Sequence, residues 1–99
     1  MLCWQVFVRS NDGRQFAARA IKISEYRAVL RGEQVLPSGT MCDLRVIIPA
    51  RDATQSASEA ELQAEVGEVI FVGRDIHLNL RVKSLSQEAR RLIGRQVAA

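Results

Sequence analysis

Residues 76–83 read IHLNLRVK, so apolar side chains alternate with polar or charged ones along the whole stretch. Alternation with a period of two is typical of a β-strand that buries one face. A different pattern follows, in which Ser86 can cap a helix and Glu88 suits its positive end. The sequence therefore predicts a strand and then a helix over about residues 86–96, whose mostly apolar stripe consists of Leu85, Ala89, Leu92, Ile93 and Gln96.

Further strand patterns precede these two elements and are separated by short turn signals. Ser10-Asn11-Asp12-Gly13 has the chemistry of a tight hairpin turn with positive φ. Gly67 lies inside a strand pattern, which suggests a bulge that bends the strand. Strands at this spacing, followed by one amphipathic helix, favour an antiparallel barrel or sandwich with a packed helix. The predicted strands before residue 76 cover residues 4–9, 14–23, 27–31, 40–48 and 62–72.

Two segments carry expectations that rest on local pattern alone. Within residues 14–23, Phe16, Ala18 and Ala20 should face one side of the sheet, and Arg19, Ile21 and Ile23 the other. Residues 50–61 are small and polar and have no apolar stripe to bury, so we predict a mobile hairpin loop there. A short helix over residues 56–61 is the alternative.

The composition is that of an ordinary globular domain, which we expect to span residues 1–99 as one unit. Hydrophobic residues make up 47% of the chain and charged residues 25%. No apolar run approaches the ~20 residues that span a bilayer. Residues 1–9 lack the basic lead, the long apolar stretch and the cleavage site of a signal peptide. We therefore expect a cytoplasmic protein that does not insert into a membrane.

Cysteine and histidine are too few and too scattered to predict a metal site. Cys3 and Cys42 form no Cys-x-x-Cys pair, and with His77 their spacing matches no common zinc site. We expect both cysteines to be buried as small hydrophobic residues and His77 to be exposed. The chain also lacks a nucleophile–base pattern, a phosphate-binding glycine loop and a pair of acids held in a pocket. An enzyme is the least favoured class of function.

The charge favours anionic partners in general. The formal net charge is +3, and the sequence pI is near 9.4. Nucleotides, RNA and acidic protein surfaces would all satisfy this preference. Aromatic residues make up only 5% of the chain, which leaves few rings on which single-stranded nucleic acid could stack. RNA binding is therefore disfavoured.

The order of elements and several local sequences resemble the PilZ domain, a bacterial family of cyclic-di-GMP receptors. Residues 19–30, RAIKISEYRAVL, resemble the family's strand that ends in Asp/Asn-x-Ser-x-x-Gly and then resumes. Residues 36–49, LPSGTMCDLRVIIP, resemble the following turn and strand, and residues 67–72, GEVIFV, a later strand. Residues 78–88 resemble the closing strand and its entry into the last helix. The resemblance implies an all-β fold, an antiparallel six-stranded barrel with a C-terminal α-helix.

The same resemblance shows where this chain departs from the family's nucleotide-binding motifs. Lys22 stands at the Asp/Asn position and Arg27 at the glycine position, and only Ser24 agrees. Lysine is a pure donor, so it cannot accept a hydrogen bond from guanine N–H. Arginine adds a long side chain where glycine would let backbone and ligand approach closely. We expect the family's Arg-x-x-x-Arg segment to be absent, because it lies before the first strand, which begins here at about Cys3.

Several readings of the basic residues stay open at this point. The interpretation that we prefer is a non-catalytic PilZ-like adaptor for motility, pilus regulation or cyclic-di-GMP signalling, which acts on a protein partner and binds nucleotide weakly or not at all. A cyclic-di-GMP receptor with rearranged basic contacts and a small RNA-binding barrel are alternatives. No cofactor or metal is expected, and charges solvated on strand faces are the simpler explanation. The candidate ligand-binding residues are Arg19, Lys22, Ser24, Arg27 and Arg81.

Overall fold

The computed structural model describes residues 4–50 and 56–97, which form a closed barrel of six antiparallel strands and one helix. The elements are β1 Trp4–Ser10, β2 Gln15–Ile23, β3 Arg27–Gly32, β4 Met41–Ile48, β5 Ser58–Val72, β6 Asp75–Leu85 and α1 Gln87–Val97. Around the barrel the strand order is β1-β2-β3-β6-β5-β4, and β4 pairs with β1 to close it. The predicted all-β barrel with a C-terminal helix is confirmed.

The alternating apolar side chains of the strands fill the inside of the barrel. Large side chains come from every part of the circumference, and small alanines between them let opposite walls approach. Cys42 belongs to this core, as its sequence pattern predicts, whereas Cys3 lies outside the described residues. The most deeply buried large side chains are Leu30, Leu36, Leu44, Leu78, Leu80, Ile93, Val6, Val46 and Val66.

A β-bulge in β2 changes which side chains of that strand face the core. The register with β3 shifts between Ala20 and Lys22, so Ile21 is the extra residue. Ala20 and Ile23 are consequently both buried. The expectation that they face opposite sides is wrong, because uninterrupted alternation does not continue through a bulge.

A second bulge occurs at the predicted glycine in β5. The register between β5 and β6 shifts between Val66 and Glu68, which makes Gly67 the irregular position. A β-carbon added there would lie 3.5 Å from the carbonyl oxygen of Asn79, so the backbones of the two strands are close. The prediction of a bulge at Gly67 is confirmed.

Strand β5 begins earlier than the sequence pattern indicates. Ser58 pairs with Ile48 and Glu61 pairs with Arg45, so residues 58–61 extend the ladder with β4. This corrects both the predicted loop through residue 61 and the alternative helix over residues 56–61. Residues 51–55 lie outside the described residues.

The two ends of the barrel are closed by different means. At one end, the hydroxyl oxygen of Ser86 accepts a hydrogen bond from the N–H of Ala89 at 3.0 Å and caps α1 as predicted. Ala89 and Ile93 of α1 are buried, and Gly94 lies beside Glu25 of the β2–β3 turn. Toward the other end, Leu36 in the connection between β3 and β4 is fully buried. The helix and this leucine complete the core that the strands begin.

Glycine sets the geometry of two hairpin turns. Gly13 has φ of 93° in the turn between β1 and β2, where the sequence predicts positive φ. Gly73 has φ of 61° and, with Arg74, forms the turn between β5 and β6. A side chain at either position would be strained, because left-handed backbone conformations suit glycine.

Candidate functional site: the basic face of the barrel

The turn between β2 and β3 carries the serine of the candidate motif. The hydroxyl oxygen of Ser24 accepts hydrogen bonds from the backbone N–H groups of Tyr26 at 3.2 Å and Arg27 at 3.1 Å. The backbone N–H of Ser24 donates to the carbonyl oxygen of Arg27 at 2.8 Å. A hydroxyl oxygen has two acceptor positions, and both are used inside this turn. Ser24 therefore has a structural role that needs no ligand.

The same turn is anchored to β6. The backbone N–H of Val82 donates a hydrogen bond to the carbonyl oxygen of Tyr26 at 2.9 Å. Among the described residues, no residue other than glycine has positive φ, so Arg27 adopts an ordinary backbone conformation. Arginine is thus tolerated at the position where the resemblance places glycine, and its side chain points outward and is exposed.

Arginine residues oppose one another on the outer surface of β2, β3 and β6. Arg19 of β2 pairs with Arg31 of β3, and Arg27 of β3 pairs with Arg81 of β6. Directly opposed residues have β-carbons about 5 Å apart, where like charges repel. We call this surface the basic face and define it by its exposed cationic side chains, Arg19, Lys22, Arg27, Arg31 and Arg81.

The basic face consists of two arginine pairs rather than one cluster. Arg27 and Arg31 lie four positions apart on β3, or about 13 Å along the strand. Half-buried Val29 lies between them on the same face and pairs with Lys22. This strand pairing places Ser24, Arg27 and Arg81 at one end of the basic face and Arg19 at the other. Arg31, a further basic strand residue, completes the second pair with Arg19.

Acidic side chains weaken the positive potential of the face at both ends. The Arg81 guanidinium and the Lys83 ammonium both lie 3.9 Å from the same Glu65 carboxylate oxygen. Near Arg19 and Arg31, a groove of about 440 Å³ is also lined by Glu33 and Asp75. In the described part of the chain, no carboxylate forms an ion pair with Arg27 or Arg31. Lys22 likewise forms no ion pair in that part of the chain, so these three exposed side chains are available to meet an anion.

A larger groove lies on another side of the barrel. Its volume is about 770 Å³, and it crosses the outer surfaces of β1, β2, β4 and β5. Arg45 stacks over the ring of Phe7, with 5.1 Å between the guanidinium carbon and the ring centroid, and Arg9 pairs with Asp43 at 3.2 Å. Neither groove is lined by Lys22, Ser24, Arg27 or Arg81. The motif residues are therefore not part of either groove.

The ring side chains of His77, Tyr26 and Trp4 differ in their exposure. His77 is half-buried, so the expectation that it is exposed is wrong; it lies opposite Arg31 and is flanked by β5. Tyr26 is 75% exposed at the rim of the barrel, whereas Trp4 packs against the core.

Within residues 4–50 and 56–97, no cluster of three potential metal ligands occurs. The helix in that part of the chain is too short to cross a membrane.

Sequence reasoning missed an apolar surface at the tip of the β5–β6 hairpin. Ile70, Phe71 and Val72 are 40%, 69% and 49% exposed. Their sequence reads as an ordinary strand, and only the position beyond the end of β4 shows that they are not covered. A cross-strand neighbour is needed to distinguish a buried apolar strand from an exposed one.

The barrel is similar to a solved structure, that of the inhibitor of motility MotI/DgrA from Bacillus subtilis, with a TM-score of 0.79. The fold is PilZ-like. The aligned region has 12% sequence identity and covers 97% of this chain and 46% of that chain, so this chain spans about half the length of that protein. No protein-family model and no curated protein sequence matches the chain.

Proposed function

We propose that the chain is a non-catalytic PilZ-like adaptor that acts through protein contacts in bacterial cyclic-di-GMP signalling, motility or pilus regulation. Direct nucleotide binding is weak or lost. The observation that carries this proposal is a PilZ-like barrel in which the Ser24 hydroxyl oxygen accepts its hydrogen bonds from backbone N–H groups of its own turn. The fold is kept, while the groups that would read a guanine base are changed.

Chemistry at two positions supports weak nucleotide binding. Guanine recognition needs a fixed acceptor for the N–H groups of the base, and Lys22 offers only donors. Arg27 lies opposite Arg81, so an anion could meet both, but contact with phosphate alone does not select guanine. A polar group without its partner on a bound ligand costs affinity, so these substitutions weaken binding beyond the loss of one contact.

The similarity to an inhibitor of motility supports the proposed process. That protein's solved structure includes a region that matches nearly the whole of this chain at a TM-score of 0.79. A barrel with a packed helix and exposed outer strands offers surfaces for a protein partner. We place this chain in the same kind of regulation on the basis of that fold.

Calorimetric titration of the full chain with cyclic-di-GMP tests the proposal. We expect no saturable heat at micromolar nucleotide, because the aligned acceptors for guanine are missing. Micromolar binding that is abolished by Arg27→Ala but kept in Arg91→Ala would overturn the proposal. Arg91 is a suitable control because it is exposed on α1, away from the basic face.

A second candidate function is a cyclic-di-GMP receptor that uses rearranged basic contacts. It is favoured by Arg27 and Arg31, which have no acidic partner among the described residues. NMR titration distinguishes the two functions. Chemical-shift changes confined to residues 22–27 and their neighbours on β6 would support a receptor, and an unchanged spectrum at saturating nucleotide would exclude it.

A further inference from the structure

The outer edge of β5 is left open beyond the point where β4 ends. The ladder between β4 and β5 stops at the pair Met41–Glu65. The connection before β4 covers a little more, because the N–H of Gly39 donates to the carbonyl of Val66 at 2.7 Å and the Ser38 hydroxyl donates to the carbonyl of Gly67 at 2.9 Å. Residues 68–72 continue the strand and pair only with β6 in the described part of the chain. We call residues 68–72 the open edge.

The hairpin geometry decides which backbone groups point out of the open edge. The turn holds only Gly73 and Arg74, so its closing pair Val72–Asp75 is a hydrogen-bonded pair. Hydrogen-bonded and non-hydrogen-bonded pairs alternate along an antiparallel ladder. Val69 and Phe71 are therefore in non-hydrogen-bonded pairs, and their N–H and C=O groups point away from β6. These groups are available to another strand.

Apart from the exposed Glu68, the side chains of the open edge are apolar on both faces. Ile70 and Val72 point to the outer face of the sheet, and Phe71, the most exposed of the three, to the opposite face. Natural strand edges are commonly protected by lysine, proline or a bulge, and residues 68–72 contain no lysine or proline. An edge of this kind pairs readily with a further extended strand.

We propose that the open edge pairs with the open edge of a second copy of this chain, antiparallel and with a two-fold axis at Phe71. This inference goes beyond the proposed function and does not depend on it. Within the open edge, the odd-numbered residues Val69 and Phe71 carry the backbone groups that point outward. In a symmetric dimer, odd-numbered residues of one copy therefore pair with odd-numbered residues of the other. Phe71 then exchanges two backbone hydrogen bonds with Phe71 of the second copy, and Val69 lies opposite Gly73 of that copy.

Charge selects this register over the neighbouring one. With the axis at Phe71, Glu68 of one copy lies level with the β5–β6 turn of the second copy, which carries Arg74, and the same contact recurs by symmetry. Within the described residues of one copy, neither side chain forms an ion pair. An axis at Ile70 would place Glu68 opposite Val72 and leave both charges without a partner.

The apolar side chains also match in this register. Ile70 lies opposite Val72 of the second copy on one face of the joined sheet, and the two Phe71 rings meet on the other face. Because the open edge is short, the contact is smaller than the roughly 1,200 Å² of an ordinary stable interface. We therefore expect a dimer whose population depends on protein concentration.

Sedimentation velocity of the full chain over a concentration series tests the proposal. We expect a monomer–dimer equilibrium that Glu68→Arg and Arg74→Glu each weaken by about three- to tenfold in Kd, because two symmetry-related ion pairs are lost at once. The double variant should restore association. Arg91→Glu changes the charge by the same amount as Arg74→Glu on the exposed surface of α1 and should leave Kd unchanged.

A backbone test complements the charge test. Phe71→Pro removes the central N–H that points out of the open edge, while the hydrogen bonds between β5 and β6 stay intact. Dimerisation should therefore be lost. Amide exchange in the parent chain should slow at Val69 and Phe71 as concentration rises, while Ile70 and Val72 are protected at every concentration.

Three results would overturn the proposal. They are a chain that stays monomeric at millimolar concentration, a dimer that persists in a folded Phe71→Pro variant, and a double variant that fails to recover association. An open edge that captures an extended foreign peptide while the chain remains monomeric would identify a different occupant. If Phe71→Pro does not fold, the charge-reversal variants still test whether the open edge forms the dimer.

Discussion

Cys42 shows how the interior of the barrel controls the chemistry of one residue. It is 2% exposed and is surrounded by the apolar walls of the core. Burial raises the pKa of its thiol from 9.0 to about 11, and the negative charges of Asp12 and Asp43 add to the effect. The thiolate is the nucleophilic form, so this cysteine is inert in the folded protein.

Alkylation of Cys42 tests this conclusion. In a Cys3→Ser variant at about pH 8, iodoacetamide should react much more slowly with the folded protein than with the urea-unfolded chain, because only unfolding exposes the thiol and returns its pKa to the ordinary range. Mass spectrometry measures both rates. Equal rates would show that the described core does not protect this residue.

The same pKa shift sets the sign of one pH effect on stability. Between pH 9.0 and about 11, the unfolded chain loses the thiol proton while the folded chain keeps it. The unfolded state then binds fewer protons, so the free energy of unfolding falls as pH rises. The contribution of Cys42 is complete below pH 9.0 and is lost as pH rises through the folded value of about 11.

At the scale of elements, α1 depends on its first turn. The Ser86 hydroxyl satisfies the N–H of Ala89, which would otherwise lack a partner at the start of the helix. Loss of such a cap commonly costs about 1 kcal/mol. The motif was readable in the sequence because capping depends on residues that are adjacent along the chain.

Ser86→Ala should therefore lower the free energy of unfolding by about 1 kcal/mol, measured by urea denaturation. Ser84→Ala is a matched control, because Ser84 is exposed on β6 and its hydroxyl forms no hydrogen bond within the described residues. Its effect should stay within about 0.5 kcal/mol. Equal losses in the two variants would argue against a capping role for Ser86.

Elements whose limits depend on a distant strand were harder to predict. The polar segment Ser58–Glu61 has little strand signal of its own and becomes a strand because β4 pairs with it. The bulge at Ile21 arises from the register with β3. The bulge in β5 is indicated in the sequence by Gly67, but no glycine indicates the bulge at Ile21. Tertiary pairing overrides local pattern at both places.

For the whole molecule, local periodicity predicted the strands and the helix, but the arrangement of the candidate site required barrel topology. Strands β3 and β6 are neighbours in the barrel although β4 and β5 lie between them in the chain. Arg27 therefore meets Arg81 through a contact that no local pattern contains. The sequence could name both arginines as basic strand residues but could not show that they oppose each other.

Closure of the barrel also determines how the molecule should unfold. Because β4 pairs with β1, every strand has two neighbours along much of its length, and a single apolar core connects all of them. Removing one strand exposes the core to water, so partial unfolding is costly and a cooperative two-state transition is expected. Trp4, the single tryptophan, packs against that core and reports on it by fluorescence.

We expect the urea transitions followed by Trp4 fluorescence and by far-ultraviolet circular dichroism to coincide. Leu30→Ala, which removes a fully buried side chain from β3, should move both transitions together and cost about 2–5 kcal/mol. β3 does not pair with β1, the strand that holds Trp4, so a common shift would show that strands without a direct ladder between them unfold as one unit. Separate midpoints for the two probes would instead mean that part of the barrel opens independently, and the closed ladder would then not control unfolding.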